Sequence, residues 1–497
     1  MMTFFEDPKF RGGIHAVENK IQTASKPIEI HFPLPKKLYI PVQQHVGKPA
    51  EPVVKVGDHV LKGQLLAHSQ GTISAPVHAS SSGVILDIRD FAAPHPSTLP
   101  VRTVIIETDG EDKWLSTTPP NNPLELTPEE ICLRVEHAGV VGLGGAVFPS
   151  AVKLNLGRKN QIHTLLINAG ECEPYLTCDD RLMQERACDV VMGIALMMRG
   201  MLAPKAIIGI EDNKPQAFEA MQQACFNFPR ISVMQVPTRY PMGWDRQMLR
   251  YLTGQEIPAD GRATDIGVVI HNVSTAYAVY KAICLDEPLI SRIVTVSGGA
   301  VSKPMNVEVL IGTLMADVLV FCGFESTSLE RLVMGGPMMG DILPHSDVPI
   351  VKACNGILAL TQNDIAQPKV KPCIRCSNCV SACPVGLLPL EMMSRIRASK
   401  LDAAVDFGLK DCISCGSCSY VCPSNIPLVH YFKYASGELV KRQQSEHKSQ
   451  QTKKLVENRA QRMERIRLEG EAEARRVMEA RAVRSAQEAA QRQEENA

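Results

Sequence analysis

Long hydrophobic runs are missing from this 497-residue chain. The nearest approach, Val190 to Met198, is closed by Arg199, well short of the ~18 apolar residues a membrane-crossing helix needs. No spanning segment is expected, and any membrane contact should be indirect, through a partner. Net charge is missing too. The formal balance is +0, so no whole-protein field draws the chain to nucleic acid or to an anionic bilayer. Residues 1–20 lack the pattern of a signal peptide, being polar and carrying Glu6, Asp7, Lys9 and Arg11. What the chain has in quantity is cysteine, 16 residues. Eight fall in two short runs. The others (Cys132, Cys172, Cys178, Cys188, Cys225, Cys284, Cys322, Cys354) are scattered and read as buried, reduced thiols. The length calls for about three or four domains.

The first run is Cys373-Ile-Arg-Cys376-Ser-Asn-Cys379-Val-Ser-Ala-Cys383-Pro384, and the second is Cys412-Ile-Ser-Cys415-Gly-Ser-Cys418-Ser-Tyr-Val-Cys422-Pro423. Each resembles the C-x2-C-x2-C-x3-C-P run of bacterial two-cluster ferredoxins. There, three thiolates of one run hold a cubane and the fourth crosses to the other cluster. The resemblance implies one [4Fe–4S] cluster on Cys373, Cys376, Cys379 and Cys422, and a second on Cys412, Cys415, Cys418 and Cys383. Soft iron favours thiolate sulfur, and the following proline redirects the chain without offering a competing N–H. Paired C-x2-C also binds tetrahedral zinc, but zinc takes four ligands with a gap between the pairs. A disulfide framework would close small, strained loops. Iron–sulfur thiolates need a reducing compartment, hence the cytosol.

Ahead of the cysteines the chain reads as several units. Residues 40–110 alternate Val and Leu with Gly-Asp and Lys-Gly turns, as in a small β-sandwich or barrel. This is similar to the barrel-sandwich fold of lipoyl and biotinyl carriers. The region matching their modified hairpin is His68-Ser69-Gln70-Gly71-Thr72 and has no lysine, so the module reads as structural. Residues 116–128 form a linker. Thr127-Pro128-Glu129-Glu130 is a helix start. Strands over Ile162–Ile167 and Ala206–Ile210, with helices over 181–200 and 214–225, imply a parallel sheet whose ligands sit at the strands' carboxyl ends. A helix is expected over Leu387–Phe407. The tail has fourteen Lys/Arg against ten Asp/Glu over residues 440–497. Its apolar residues are too sparse for a coiled coil, so a solvated helix or disorder is expected.

A Gly-rich stretch, Gly142-Leu143-Gly144-Gly145-Ala146-Val147-Phe148-Pro149-Ser150-Ala151-Val152-Lys153, reads equally well as a turn or as a phosphate cradle closed by Lys153. With Gly170-Glu171-Cys172-Glu173-Pro174 and Asn272-Val273-Ser274-Thr275 it resembles, in order, the flavin- and NADH-binding motifs of the 51-kDa-type subunit of respiratory complex I. That resemblance implies non-covalent FMN, with Gly142, Gly144, Gly145 and Lys153 toward its phosphate. It also implies Glu171 and Glu173 as an acidic wall beside flavin and nicotinamide, and Asn272 and Thr275 as further flavin contacts. The chain departs from that family at Val141, Leu143 and Gly170, where the family has Arg, Arg and Asp. Residues 292–324 look like the β-grasp SLBB domain of the same subunit, and the Gly298-Gly299 turn is assigned no phosphate.

The order of these units, with the opening Phe10-Arg11-Gly12-Gly13-Ile14-His15-x-x-Glu18-Asn19-Lys20, resembles the C-subunit family of the Rnf (Rsx) ion-translocating electron-transport complexes. The expected fold is α/β multidomain: an N-terminal segment with a barrel-sandwich β domain (1–115), a Rossmann-like α/β flavin domain (125–285), an SLBB domain (290–350), a two-cluster ferredoxin-type helical domain (365–435) and a charged tail (440–497). The resemblance implies a peripheral electron-input subunit on the cytoplasmic face of the bacterial inner membrane. It would pass electrons from NADH through FMN and two [4Fe–4S] clusters to membrane and peripheral subunits of the complex, with no nucleic-acid partner. The alternative is a flavin-free iron–sulfur relay in the same complex.

Overall fold

The computed structural model describes residues 10–258, 261–365 and 369–494. It divides into two compact units, residues 1–391 with 411–429, and residues 392–410 with 430–497.

The first unit begins with a strap over residues 10–32 whose only helix is the single turn α1 (Ile21–Ala24). With so little internal structure, the strap's backbone groups must find partners elsewhere. Gly13 N–H donates to the Ala382 carbonyl (2.9 Å), Ile14 and Tyr240 exchange both backbone bonds, and Glu29 N–H donates to the Asn306 carbonyl (2.8 Å). Phe10 and Ile14 are buried. The strap therefore touches the cysteine region, the parallel sheet and the third sheet in turn.

The barrel module follows: β1 (Lys37–Pro41), β2 (Glu51–Pro52), β3 (His59–Val60), β4 (Leu65–His68), β5 (Val77–His78), β6 (Gly83–Ala92) and β7 (Pro100–Thr108). They form two antiparallel sheets ordered β1-β7-β6-β3 and β2-β4-β5. Their alternating side chains enclose Leu38, Ile40, Val60, Leu66, Ile85, Val104 and Ile106. The fold is the expected barrel sandwich.

Next, α2 (Pro128–His137) starts as the sequence requires, with a capping box between Thr127 and Glu130 and Pro at the first position. Then come α3 (Ser150–Lys159), β8 (Thr164–Ala169), α4 (Cys178–Glu185), α5 (Ala187–Met201), β9 (Ala206–Glu211), α6 (Pro215–Ala224), β10 (Ile231–Val236), α7 (Asp245–Thr253), β11 (Val268–Asn272) and α8 (Val273–Tyr280). The sheet is ordered β10-β9-β8-β11 and all its pairings are parallel. The helix expected over 181–200 is broken at Arg186, whose guanidinium turns away to the Glu308 carboxylate (2.8 Å).

The third sheet contains β12 (Ser291–Ser297), β13 (Met305–Leu310), β14 (Arg331–Met334), β15 (Asp341–Leu343) and β16 (Gly356–Leu360), with α9 (Met315–Phe321) against it. Its order is β13-β12-β16-β14-β15. The central strand β16 thus lies beyond residue 350, the end expected for this domain, because β12 and β14 need it to pair. Lys352, fully buried, ties the three modules together: its ammonium donates to the carbonyls of Pro76 (3.1 Å) and Gly139 (2.6 Å). Burial lowers its pKa to about 7.

The cysteine region carries α10 (Asn378–Ser381), α11 (Pro389–Arg397), α12 (Leu401–Asp406), α13 (Ser417–Tyr420) and α14 (Leu428–Glu494). The helix expected over Leu387–Phe407 is two helices, α11 and α12, separated where Ser399 turns left-handed (φ 57°). Within the second unit, Arg442 of α14 pairs with Asp402 of α12 (3.0 Å). From Lys441 to Arg492 every residue of α14 is exposed. It is polar all round and laced with i,i+4 pairs such as Arg467–Glu471 (2.9 Å). Of the two expectations for the tail, the solvated helix holds through Glu494.

Candidate functional site

Parallel strands direct their carboxyl ends to one edge, and a cavity of about 1240 Å³ opens there. Gly144 and Gly145 come from the loop before α3, Lys153 from its first turn. Asn168, Glu171 and Glu173 lie at or just after the end of β8, and Asn272 ends β11. Two other modules complete the wall. Thr72 and Ile73 come from the barrel hairpin, and Met334 to Gly336 with Met339 to Asp341 from the third sheet. The barrel is therefore part of the cavity wall. Its Thr72 belongs to the hairpin that matches the modified hairpin of carrier domains.

The Gly-rich loop leaves room at the cavity. A Cβ on Gly145 (φ 114°) would meet nothing within 4 Å, while one on Gly144 would press on Asn272 Cβ at 3.0 Å. The φ of Gly145 is one that glycine adopts without strain. Lys153 donates to the Ile270 carbonyl. Burial lowers its pKa and Asp245 opposes that, so the cavity holds a partly desolvated cation. The buried His271 beside it has both ring nitrogens unpartnered. A buried lysine and an open glycine loop lining one cavity fit a phosphate-bearing ligand such as FMN.

Gly142 and Thr275 do not line the cavity. Gly142 N–H donates to the Phe148 carbonyl (2.8 Å). The buried Thr275 hydroxyl accepts from Leu143 N–H (2.9 Å), so both shape the loop. Asn272 does line the cavity. Its side chain also caps α8 by accepting from Ser274 N–H (2.9 Å) and donates to Asp179 (2.8 Å).

Glu171 and Glu173 reach the cavity but are tethered. The Glu171 carboxylate accepts from the N–H groups of Asp179 (2.9 Å) and Asp180 (3.2 Å) at the start of α4, where the helix dipole favours a negative charge. Glu173 accepts from Met338 and Met339 N–H groups, both at 3.0 Å. Burial nonetheless pushes each carboxyl up to about 7 from the ordinary 4.5. Lys20 opposes the rise at Glu171, as the Met338 and Met339 amides do at Glu173. Folded, both keep their proton to higher pH than unfolded, so between about pH 4.5 and 7 the folded state binds more protons and loses stability as the pH rises. Urea midpoints of the native chain should therefore fall across that window. In Glu171→Gln/Glu173→Gln the fall should flatten, and an unchanged slope would assign the titration to other groups.

The two cysteine runs adopt one backbone conformation twice. Arg375 and Ser414 (φ 55° and 54°), Ser377 and Gly416 (63° and 80°), and Gly386 and Asn425 (77° and 54°) are left-handed at equivalent positions. Such conformations are costly outside glycine and persist where function needs them. Here they aim amides at sulfur: Leu387 N–H donates to Cys383 Sγ (3.3 Å) and its equivalent Ile426 N–H to Cys422 Sγ (3.4 Å). Burial raises the Cys379 thiol, and the charges of Cys376, Cys422 and Cys373 add to the rise. Burial pushes Cys412 up to about 11, with Cys415 and Cys383 adding to it. Cys418 is raised by burial and then by Cys415, Cys412 and Cys383, with a smaller effect from Cys379. Each of these thiols thus feels a cysteine of the other run as well as those of its own. Among the described residues no three His, Cys, Asp or Glu side chains converge on a single ion. A cubane binds each thiolate at a different iron, so its ligands surround a cube and do not meet at one point. The donor set fits iron–sulfur clusters.

The sets differ in depth. Cys415 and Cys418 are buried, whereas Cys373 and Cys376 are exposed. The inner run abuts the cavity: Ile413 lines it, and the hydroxyl of Tyr240, also in the lining, donates to the Cys415 carbonyl (2.7 Å). Tyr240, Asn168 and Asp179 carry no motif in the sequence; only the carboxyl-end rule for parallel sheets pointed toward Asn168.

Comparisons with known proteins agree with this architecture. Family models match for the RnfC barrel sandwich hybrid domain (residues 8–111), the Nuo51 FMN-binding domain (135–281), the SLBB domain (293–341) and the 4Fe-4S dicluster domain (372–426). The C subunit of the ion-translocating oxidoreductase complex of Rhodobacter capsulatus is 50% identical over 440 residues, 88% of this chain and 84% of that protein. The C subunit of the proton-translocating ferredoxin:NAD(+) oxidoreductase complex of Clostridium ljungdahlii is 44% identical over 86% of this chain and 93% of its own. A solved NAD+-reducing [NiFe]-hydrogenase chain aligns with TM-score 0.45 and 20% identity over 62% of this chain and 66% of its own. The protein belongs to the RnfC family, the C subunits of the ion-translocating oxidoreductase complexes, electron-transfer subunits with flavin- and iron–sulfur-binding domains.

Proposed function

We propose that the chain is the electron-input subunit of its complex, taking electrons from NADH at the cavity and delivering them singly, through two [4Fe–4S] sites, to other subunits. It would sit peripherally on the cytoplasmic face of the bacterial inner membrane; among the described residues no helix is long and apolar enough to cross a membrane. FMN supplies the conversion from a two-electron hydride to single electrons, which iron–sulfur clusters accept one at a time. The chain's residues do the positioning. Gly144, Gly145 and Lys153 would hold the flavin phosphate. Asn272 would fix the cradle's floor, and Glu171 and Glu173, held by backbone amides, would form a rigid acidic wall. Cys412, Cys415, Cys418 and Cys383 would hold the inner cluster, and Cys373, Cys376, Cys379 and Cys422 the outer one.

The observation that carries this reading is continuity. Ile413, between two inner thiols, lines the same cavity as Gly145 and Lys153, and the thiols then run outward to the surface. At about 1240 Å³ the cavity exceeds the roughly 300–1,000 Å³ of most small-ligand sites, which leaves space for a second nucleotide beside the flavin. Anaerobic preparation with iron, sulfide and flavin counted, then EPR after NADH addition, tests the proposal. Iron without any flavin, even after reconstitution, would leave only a relay. Lys153→Ala should weaken flavin retention about ten-fold or more, the scale of one charge-assisted hydrogen bond. The iron content should be unchanged.

A further inference from the structure

Between the cavity and the inner thiol set lies a small apolar cluster. Ile14, Tyr240, Ala382 and Cys415 are buried there, with Cys172 and Ile413 packed against them. Tyr240 reaches both sides. It lines the cavity, only 3% of it is exposed, and its hydroxyl donates to the Cys415 carbonyl (2.7 Å). The same hydroxyl is hydrogen-bonded to the Glu173 side chain. A phenol carries one hydrogen, so a carbonyl of the inner loop and a carboxyl of the cavity wall compete for it. The heavy atoms are pinned. Tyr240 exchanges both backbone bonds with Ile14, and Glu173 is held by the Met338 and Met339 amides. What is left to move is the hydrogen.

We propose that Tyr240 is a positioning residue whose one hydroxyl hydrogen, contested by Glu173 and the Cys415 carbonyl, sets the potential of the inner cluster by the charge at the cavity wall. The inference rests on the reading of the two runs as cluster sites. The hydrogen swings about the phenol C–O bond, and no covalent bond forms or breaks. Donated to Cys415, it offsets the negative end of a carbonyl beside the cluster and so favours the reduced state. Groups that contact a metal's ligands tune the metal in this way. An ionised Glu173 is the stronger acceptor and draws the hydrogen off, which leaves the carbonyl bare and favours the oxidised state. Neutralising Glu173 returns the hydrogen and raises the potential. A change of charge beside Glu173 is thereby felt at the inner set.

The test is an EPR redox titration of the full chain, reconstituted anaerobically, with Cys376→Ala, which keeps the inner cluster, to identify that signal. Tyr240→Phe keeps the ring and loses the hydrogen. At a fixed potential its inner cluster should be about ten-fold less reduced, the scale of one hydrogen bond. That equals a fall of about 59 mV for one electron. The outer cluster should not shift. Glu173→Gln should raise the inner potential alone. In Tyr240→Phe/Glu173→Gln that rise, as a population ratio, should shrink about two-fold or more, the mark of two residues acting together. Where Tyr240→Phe fails to hold iron, Glu173→Gln decides, and an unmoved inner potential there sinks the idea. A shift shared equally by both clusters, no fall in an iron-loaded Tyr240→Phe, or a full rise in the double variant would each overturn the proposal. A wild-type chain that takes up no second cluster contradicts the cluster reading and this inference with it. Two clusters indifferent to Tyr240 and Glu173 contradict this inference alone.

Discussion

Cys418→Ala is expected to strip the inner thiol set of its cluster and to leave the outer one beyond the reach of NADH. Cys418 is buried and electrostatically coupled to Cys415, Cys412 and Cys383. Its loss should remove about four of eight irons, and with them the centre that abuts the cavity through Ile413 and Cys415. Cys376→Ala, on the exposed set, should also remove about four irons. There, the remaining cluster should still be reduced by NADH. Iron counts and EPR after NADH addition read both variants. The two variants should differ in their response to NADH: equal loss in both, or in neither, would show that the two sets do not act in the order inner then outer.

In Gly12→Ala the damage should fall on a cysteine far from the substitution in sequence. Gly12 is left-handed (φ 64°), and a Cβ there would land on the Cys383 carbonyl and 2.8 Å from Pro384 N. Its neighbour Gly13 is bonded to Ala382. Neither partner is a movable side-chain tip, so the strap or the Cys383 loop must shift. A left-handed alanine costs about 1–2 kcal/mol and overpacking about 1–3 kcal/mol. The unfolding free energy should therefore fall by about 2–5 kcal/mol, with the inner cluster lost in preference to the outer. Denaturant melts with iron analysis would measure both. A variant with native stability and full iron would mean the strap lies loosely over the cysteines.

What could be read in advance were features whose physics is local. Cysteine spacing dictates a loop, and both runs take it. Thr127, Pro128 and Glu130 carry a helix start within four residues, and the helix starts there. Apolar stretches such as Ala206 to Ile210, in which Ile208 and Ile210 are buried, announce a parallel sheet covered on both faces. What escaped depended on partners far along the chain. Glu171 and Glu173 read as cavity chemistry, yet their oxygens bind amides of α4 and of residues 338 and 339, and the latter lie in no window around residue 173. Thr275 read as a ligand contact and instead braces Leu143. The strap offered no periodic pattern because its long-range hydrogen bonds run to distant elements. The break at Arg186 goes with an ion pair to Glu308, over a hundred residues on.

The strap has one more consequence, for biogenesis. Gly13 is translated early, but its partner Ala382 emerges about 370 residues afterward. At elongation rates of about 5–20 residues per second, that is an interval of tens of seconds. Throughout it Ile14 waits without Ala382 and Cys415, the cysteine-region residues it packs against. The strap and the Cys383 loop therefore fasten to each other only after all the residues between them have been made.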